Sequence, residues 1–254
     1  MFLDPTFLLL IPGLLFALWA QAKVKGAYRR YSEVYASSGK TAAEVAHEML
    51  HRADLVAAVE TGAPGKAFQA EEQLRAVRVE PVAGELTDHY DPRDNTLHLS
   101  EEVYRSTSIA ALGIAAHEAG HAMQHATRYG PMSLRSVLVP VASLGSNLAF
   151  PFFFLGFIFS AGSHGGGWGL TLMDIGIWLF SAAVAFTLIT LPVELNASRR
   201  ALLVLERGGY LRDDEMPGAR AVLNAAAWTY VAATAMAVLS LLRLVILRNM
   251  RDAD

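Results

Sequence analysis

Long apolar stretches alternate with polar segments along this chain. Residues 2–20 are almost wholly apolar, and 137–161, 170–191 and 225–247 are apolar over similar lengths. About 20 apolar residues are needed for a helix to cross a bilayer, so each stretch is long enough to span. The pattern therefore predicts a mainly α protein with about four membrane helices, two of them paired as a hairpin.

Clustered positive charges predict the orientation of these helices. They are Lys23, Lys25, Arg29 and Arg30 after the first stretch, and Arg199, Arg200, Arg207, Arg212 and Arg220 between the last two. Positive charges after the first stretch favour an uncleaved anchor over a signal peptide. By the positive-inside rule both polar segments face the cytosol. A complete fourth crossing would place Arg248 and Arg251 outside, which conflicts with that rule.

The polar segment between the first two apolar stretches contains sequence patterns that predict local secondary structure. Thr41 and Glu44 form the pattern of a capping box, which predicts a helix toward Ala53. Residues 74–82 alternate loosely, as a strand does. The turn formers of 91–95 precede a short strand, so a β-hairpin is expected there.

Composition narrows the possible chemistry. Hydrophobic residues make up 53% of the 254 and charged residues 18%, and the mean hydropathy is +0.31, all of which favours a membrane protein. The net charge of -3 gives no basic excess, so no nucleic-acid partner is indicated. Because there is no cysteine, a transition metal must be held by histidine and carboxylate.

One motif carries metal chemistry. His117-Glu118-Ala-Gly-His121 lies in a helical run predicted from about Ser108 to Thr127, whose Ala and Gly residues let another backbone pack close. Residues four apart share a helical face, so both imidazoles can reach one zinc ion and Glu118 can act as general base. The alternative is a surface helix that carries these residues by chance. The apolar lead-in 109–116 argues against it, since burying two His and a Glu without partners is costly.

A third protein ligand is needed for a catalytic zinc site. Glu194 is the candidate, because an out-and-back hairpin returns it to the side of the histidines; the alternative is an interfacial Glu capping a helix that starts after Pro192. Asp174 competes, in a stretch faintly similar to the ligand motif of site-2 intramembrane proteases. Asp174 is expected near the far side of the membrane, about 30 Å from the histidines.

Longer sequence blocks extend these motifs. They are Tyr90-Asp-Pro92, Leu99-Ser-Glu-Glu-Val-Tyr104, Ala116-His-Glu-Ala-Gly-His-Ala-Met-Gln-His125 and Pro192-Val-Glu-Leu-Asn-Ala-Ser198. With them the chain resembles the YugP-like neutral zinc metallopeptidases of membranes, which are related to HtpX-type membrane proteases. The resemblance implies that His117, His121 and Glu194 bind zinc and that Glu118 is catalytic. In the HtpX-type relatives an Asp follows the ligand Glu by four residues; here that position is Ser198, so Ser198 or Asn196 would have to contact a ligand histidine.

Other residues are candidates for metal binding, substrate pairing or oxyanion stabilisation. His125 continues the four-residue spacing but is expected to pack or hydrogen-bond rather than bind metal. Residues 95–99 are a candidate edge strand for pairing with an extended substrate, and the alternative is a plain structural hairpin. Four side chains are candidates for stabilising an oxyanion, among which the sequence does not choose. They are Tyr90, His98, Arg199 and Arg200.

The sequence thus predicts a multi-helix membrane protein with a cytosolic, gluzincin-like lobe containing a short β-hairpin. The predicted parts are an anchor (1–21), a catalytic segment (22–136), a transmembrane hairpin (137–191), a third-ligand helix and loop (192–224) and a C-terminal membrane helix (225–254). The predicted function is a zinc endopeptidase of a bacterial-type inner or plasma membrane that acts on membrane-associated peptides or proteins. The alternatives are an intramembrane protease using Asp174 and a non-catalytic, zinc-stabilised membrane scaffold. Nothing in the sequence identifies an adaptor or an oligomer.

Overall fold

A computed structural model describes residues 5–52, 64–85, 87–160 and 167–253. The protein is mostly helical, as predicted. After a 3-10 turn at Pro5–Leu10, the helices are α1 (Ile11–Ser32), α2 (Ala42–His51), α3 (Pro64–Arg75), α4 (Glu101–Arg105), α5 (Ile109–Ala126), α6 (Gly130–Ser160), α7 (Gly167–Arg207) and α8 (Met216–Ala253). The strands are β1 (Arg78–Val82), β2 (His89–Asp91) and β3 (Thr96–Ser100).

Among the described residues, four helices are long and apolar enough to cross a membrane, which confirms the four predicted stretches. They are Pro5–Ser32, Gly130–Ser160, Gly167–Arg207 and Met216–Asp252. Each is longer than its apolar stretch, because backbone hydrogen bonds continue the helix into polar sequence. The suggested helix start after Pro192 is wrong, since α7 runs unbroken through this proline. A proline removes one helical hydrogen bond, and burial of Val193 and Ala197 beyond it favours continuing the helix.

The chain divides into two compact units. The apolar unit consists of Met1–Gln21, Leu134–Pro192 and Thr229–Asp254, and the lobe consists of Ala22–Ser133 and Val193–Trp228. The five parts named from the sequence have other limits and stay a prediction.

Within the apolar unit, α6 and the first part of α7 pack closely and run in opposite directions. A Cβ atom on Gly156 would lie 2.5 Å from the carbonyl oxygen of Gly169, so only glycine permits this approach. Farther along, Gly145 faces Leu179 in the same way. Gly145 precedes Gly156 in α6, whereas its partner Leu179 follows Gly169 in α7, so the two helices are antiparallel. The predicted turn of 162–169 lies largely outside the described residues.

Asp174 is held by an ion pair in the apolar unit. Its Oδ1 accepts a hydrogen bond from Nε of Arg248 at 2.8 Å and its Oδ2 accepts from Nη2 at 3.2 Å. Arg248 also donates to Asp252 at 2.8 Å. Arg248, one of the two cations that conflicted with the positive-inside rule, is therefore paired with two carboxylates.

The lobe is built around α5. Helices α2 and α3 and the small sheet pack against it, and Ala115, Ala116 and Ala119 are fully buried. The predicted capping box of α2 is present: Thr41 Oγ1 accepts from the backbone of Glu44, whose carboxylate accepts from the backbone of Thr41. Helix α5 begins and ends within one residue of the prediction.

The sheet has three strands in the order β1–β3–β2. Strands β2 and β3 are antiparallel and form the predicted hairpin, with Asn95 in the left-handed conformation between them. Strand β1 is parallel to β3 and ends at Val82 as predicted, but it begins four residues later than predicted, because Leu74 and Arg75 end α3. The prediction that 95–99 form an edge strand is wrong, since β3 has a partner on each side.

Candidate metal centre

Helix α5 presents the two motif histidines on one face. Ser108 caps the helix by accepting a hydrogen bond from the backbone N–H of Ala111 at 3.2 Å. From there the helix continues through His117 and His121, whose rings lie edge to face with centroids 4.8 Å apart. The four-residue spacing brings both imidazoles together, as the sequence predicts.

Gly120 lets the second part of α7 approach α5 closely. A Cβ atom at this position would lie 2.6 Å from the carbonyl oxygen of Ala197, far inside contact distance. Ala197 itself is fully buried. The close approach brings Glu194 and Ser198, on either side of Ala197, next to the histidines.

Three ligand atoms converge at this point. Oε2 of Glu194 lies 3.2 Å from Nε2 of His117 and 3.5 Å from Nε2 of His121. The ligand atoms of the three residues all lie within 4.8 Å of one another. Two imidazole nitrogens and a carboxylate oxygen are a donor set that zinc takes in catalytic sites. The residues present therefore fit a zinc ion.

The far nitrogen of each histidine is held by a side chain. Nδ1 of His117 lies 3.0 Å from Oγ of Ser198, and Nδ1 of His121 lies 3.0 Å from Oε1 of Gln124. The amide oxygen of Gln124 accepts from Nδ1–H of His121, which leaves Nε2 of that ring available to a metal, and the hydroxyl of Ser198 can accept from Nδ1–H of His117 in the same way. Of the two residues proposed from the sequence for this contact, Ser198 makes it.

Gln124 was missed by the sequence analysis. It is fully buried, and its Nε2 donates to the carbonyl of Val193 at 2.8 Å and to Oδ1 of Asn196 at 2.9 Å. It therefore ties His121 to α7 near Glu194. The available signal was a polar residue three positions after His121 on a helix of small, apolar residues.

Glu118 lies beside the cluster. It is partly buried, and its Oε2 accepts a hydrogen bond from the backbone N–H of Tyr90 in β2 at 3.2 Å. Burial raises the pKa of Glu118, the two motif histidines oppose this rise, and the charge of Glu194 adds to it. A raised pKa suits a carboxylate that must accept and then release a proton.

The remaining candidates have other partners. Nδ1 of His125 lies 2.8 Å from the hydroxyl of Tyr90 and 3.3 Å from Nε2 of Gln73, and His125 is not in the three-residue cluster. Asp174 is likewise outside that cluster.

Two of the oxyanion candidates also have contacts of their own. Nε of Arg200 donates to Asn196 at 2.8 Å, and its Nη1 donates to Thr127 at 3.2 Å. Nε2 of His98 lies 3.5 Å from Asp94. These contacts do not single out an oxyanion donor.

Comparisons with known proteins show the family of this chain. The sequence profile of the family described as "Putative neutral zinc metallopeptidase" matches residues 6–66 and 58–249. The chain is 45% identical over 247 residues to "Putative membrane protease YugP" of Bacillus subtilis (strain 168), covering 97% of this chain and 98% of that protein. No solved structure gives a significant match. On the strength of the family profile and this relative, the chain belongs to the zinc metallopeptidase family that both represent.

Proposed function

We propose that this protein is a membrane-bound zinc endopeptidase in which His117, His121 and Glu194 hold the metal and Glu118 is the general base. The observation that carries the proposal is the convergence of three ligand atoms within 4.8 Å beside Glu118. The family supports zinc as the metal and a peptide bond as the target.

In the proposed mechanism, the zinc ion and the protein side chains supply different parts of the chemistry. When bound, zinc supplies Lewis acidity, which makes a water nucleophilic near neutral pH and polarises a carbonyl group. Glu118 takes the proton of the attacking water and passes it to the leaving amine. The N–H of Tyr90 holds the Glu118 carboxylate in place for this transfer. No covalent intermediate with the protein is needed.

Two features favour catalysis over a structural zinc. A structural site is usually closed by four protein ligands, whereas three ligands leave a position open. A structural site also has no use for Glu118, whose partial burial raises its pKa. The non-catalytic scaffold is therefore the less favoured of the two functions.

We place the active site at the cytosolic face of a bacterial-type membrane, with membrane or membrane-proximal proteins as substrates. The positive charges that follow the first apolar stretch, and those between the last two, support this orientation. The name of the relative, a membrane protease, supports the substrate location.

The metal test compares zinc per chain in detergent-purified wild type, Glu194→Ala and Asp174→Ala. About one zinc per wild-type chain is expected, with loss in Glu194→Ala and retention in Asp174→Ala. Loss in Asp174→Ala with retention in Glu194→Ala would favour the intramembrane alternative. A wild type that binds no zinc after resupply would overturn the site.

The catalytic test uses Glu118→Gln, which keeps the size of the side chain but removes the base. Zinc should be retained and cleavage of membrane-protein substrates lost. Unchanged function in Glu118→Gln would favour the scaffold.

The orientation can be tested by labelling, because the chain has no cysteine. A single cysteine at Arg105, an exposed position in the lobe, should react with a membrane-impermeant maleimide only after the cytosolic side is opened. Labelling of intact cells would place the lobe outside.

A further inference from the structure

A groove in the lobe lies between the second part of α7 and the first part of α8. Its volume is about 270 Å³, smaller than a pocket for a drug-sized molecule. Three leucines line it together with two arginines and Ser198. The leucines are Leu195, Leu202 and Leu203, and the arginines are Arg199 and Arg220.

The two arginines of the groove are exposed, and neither guanidinium group forms a hydrogen bond or an ion pair with any residue in the described ranges. Two other lobe arginines do have side-chain partners: Arg200 donates to Asn196, and Arg212 pairs with Asp214. Glu206 is the single acid lining the groove, so the lining carries a net positive charge. Two available guanidinium groups form a recognition element for a phosphate.

The position of the arginines along their helices points to a membrane interface. Arg199 follows the apolar stretch ending at Leu191 by eight residues, about 12 Å of helix. Arg220 precedes the stretch starting at Ala225 by five residues, about 7.5 Å. Long arginine side chains reach headgroups from such positions. Leu195, in the same groove, leaves 47% of its surface exposed, as suits contact with an acyl chain.

The groove lies on the far side of His117 from the metal position. Ser198 lines the groove, and its Oγ contacts Nδ1 of His117 at 3.0 Å. Nε2, at the other side of the imidazole, faces Glu194 at 3.2 Å. A molecule in the groove would therefore approach the back of this histidine and not the reacting side, which argues against a substrate pocket.

We infer that this groove binds the headgroup phosphate of an anionic phospholipid through Arg199 and Arg220, with an acyl chain against Leu195. Charge complementarity selects an anion, and the adjacent exposed leucine selects a lipid over a soluble phosphate. The site is separate from the proposed zinc site and does not depend on proteolysis.

Native mass spectrometry of the full chain in detergent tests this inference, with added dioleoyl phosphatidylglycerol or dioleoyl phosphatidylcholine as probes. The test variant is Arg199→Gln/Arg220→Gln. The matched control is Arg105→Gln/Arg207→Gln, which removes two exposed positive charges elsewhere in the lobe. Zinc content and helicity of each variant show that it has folded.

The wild type and the control should retain phosphatidylglycerol in preference to phosphatidylcholine. The Arg199→Gln/Arg220→Gln variant should bind it on the order of tenfold or more weakly, because each interfacial arginine contributes to anionic lipid binding. Equal retention of both lipids, or unchanged retention in the variant, would overturn the inference. Displacement of the lipid by inorganic phosphate alone would overturn it in favour of a soluble-anion site.

Discussion

Nδ1 of His117 lies 3.0 Å from Oγ of Ser198, a residue 81 positions farther along the chain. The contact joins the metal-binding motif to the helix that carries Glu194. The group behind Nδ1 of His117 is therefore a neutral hydroxyl, four residues after Glu194 on the same helix. Ser198 can accept from Nδ1–H and so leave Nε2 unprotonated for a metal.

Replacing Ser198 with Ala should weaken zinc binding without unfolding the protein. The ring of His117 loses the hydrogen-bond partner of its Nδ1, and losses of this kind behind a metal ligand cost about 10–100-fold in metal affinity. Competition with a chelator of known affinity measures the effect. Ser198→Asp should keep the contact and the affinity, and full affinity in Ser198→Ala would show that the hydroxyl has no such role.

Replacing Gln124 with Leu should lower both stability and zinc affinity. The change leaves Nδ1 of His121, the carbonyl of Val193 and Oδ1 of Asn196 without their shared partner. An unsatisfied buried polar group costs about 1–3 kcal/mol. Denaturant unfolding in mild detergent, with and without zinc, measures the loss.

Gln73→Leu is the control for Gln124, because Gln73 contacts His125 and not a proposed ligand. It should leave zinc affinity unchanged. Equal effects of the two substitutions would mean that Gln124 does not act on the zinc site specifically.

Replacing Gly120 with Ala should abolish zinc binding. The added methyl group would lie 2.6 Å from the carbonyl of Ala197, so α5 and α7 must separate and carry Glu194 away from the histidines. Gly113→Ala is the matched control on the same helix, because its Cβ would meet Ala219 at an ordinary 3.9 Å. Zinc content of the two variants gives the comparison, and normal zinc in Gly120→Ala would refute the close-approach argument.

Zinc affinity should fall with decreasing pH, starting above the ordinary histidine pKa of about 6.5. Burial lowers the pKa of His121, but its hydrogen bond to Glu194 and the charges of Glu118 and Glu194 outweigh burial and raise it. Zinc binds only the neutral imidazole, so protons compete from that higher pH downward. Dissociation constants between about pH 5.5 and pH 8 measure this competition.

His125→Gln is the control for the pH experiment. Burial lowers the pKa of His125, and this residue lies outside the three-residue cluster. The substitution should leave the pH dependence unchanged. An affinity that stays constant down to about pH 6 in the wild type would contradict the raised pKa of His121.

The sequence by itself determined the features that depend on local spacing. Helices long enough to cross a membrane follow from the lengths of the apolar stretches. The capping box at Thr41, the limits of α5 and the shared face of His117 and His121 follow from hydrogen bonds and helix periodicity within a few residues. A hairpin at β3 was predictable because turn formers precede that strand, whereas β2 itself was not predicted.

Only the tertiary structure decided the relationships between distant residues. That α7 continues through Pro192 depends on the burial of residues beyond it. That β3 has a second partner depends on β1, which is parallel and therefore joined through a longer connection. The approach of Glu194 to the histidines and the contacts of Gln124 with Val193 and Asn196 depend on the packing of α5 against α7 at Gly120. Sequence spacing fixes which residues share a face of one helix, whereas tertiary packing fixes which faces of different helices lie against each other.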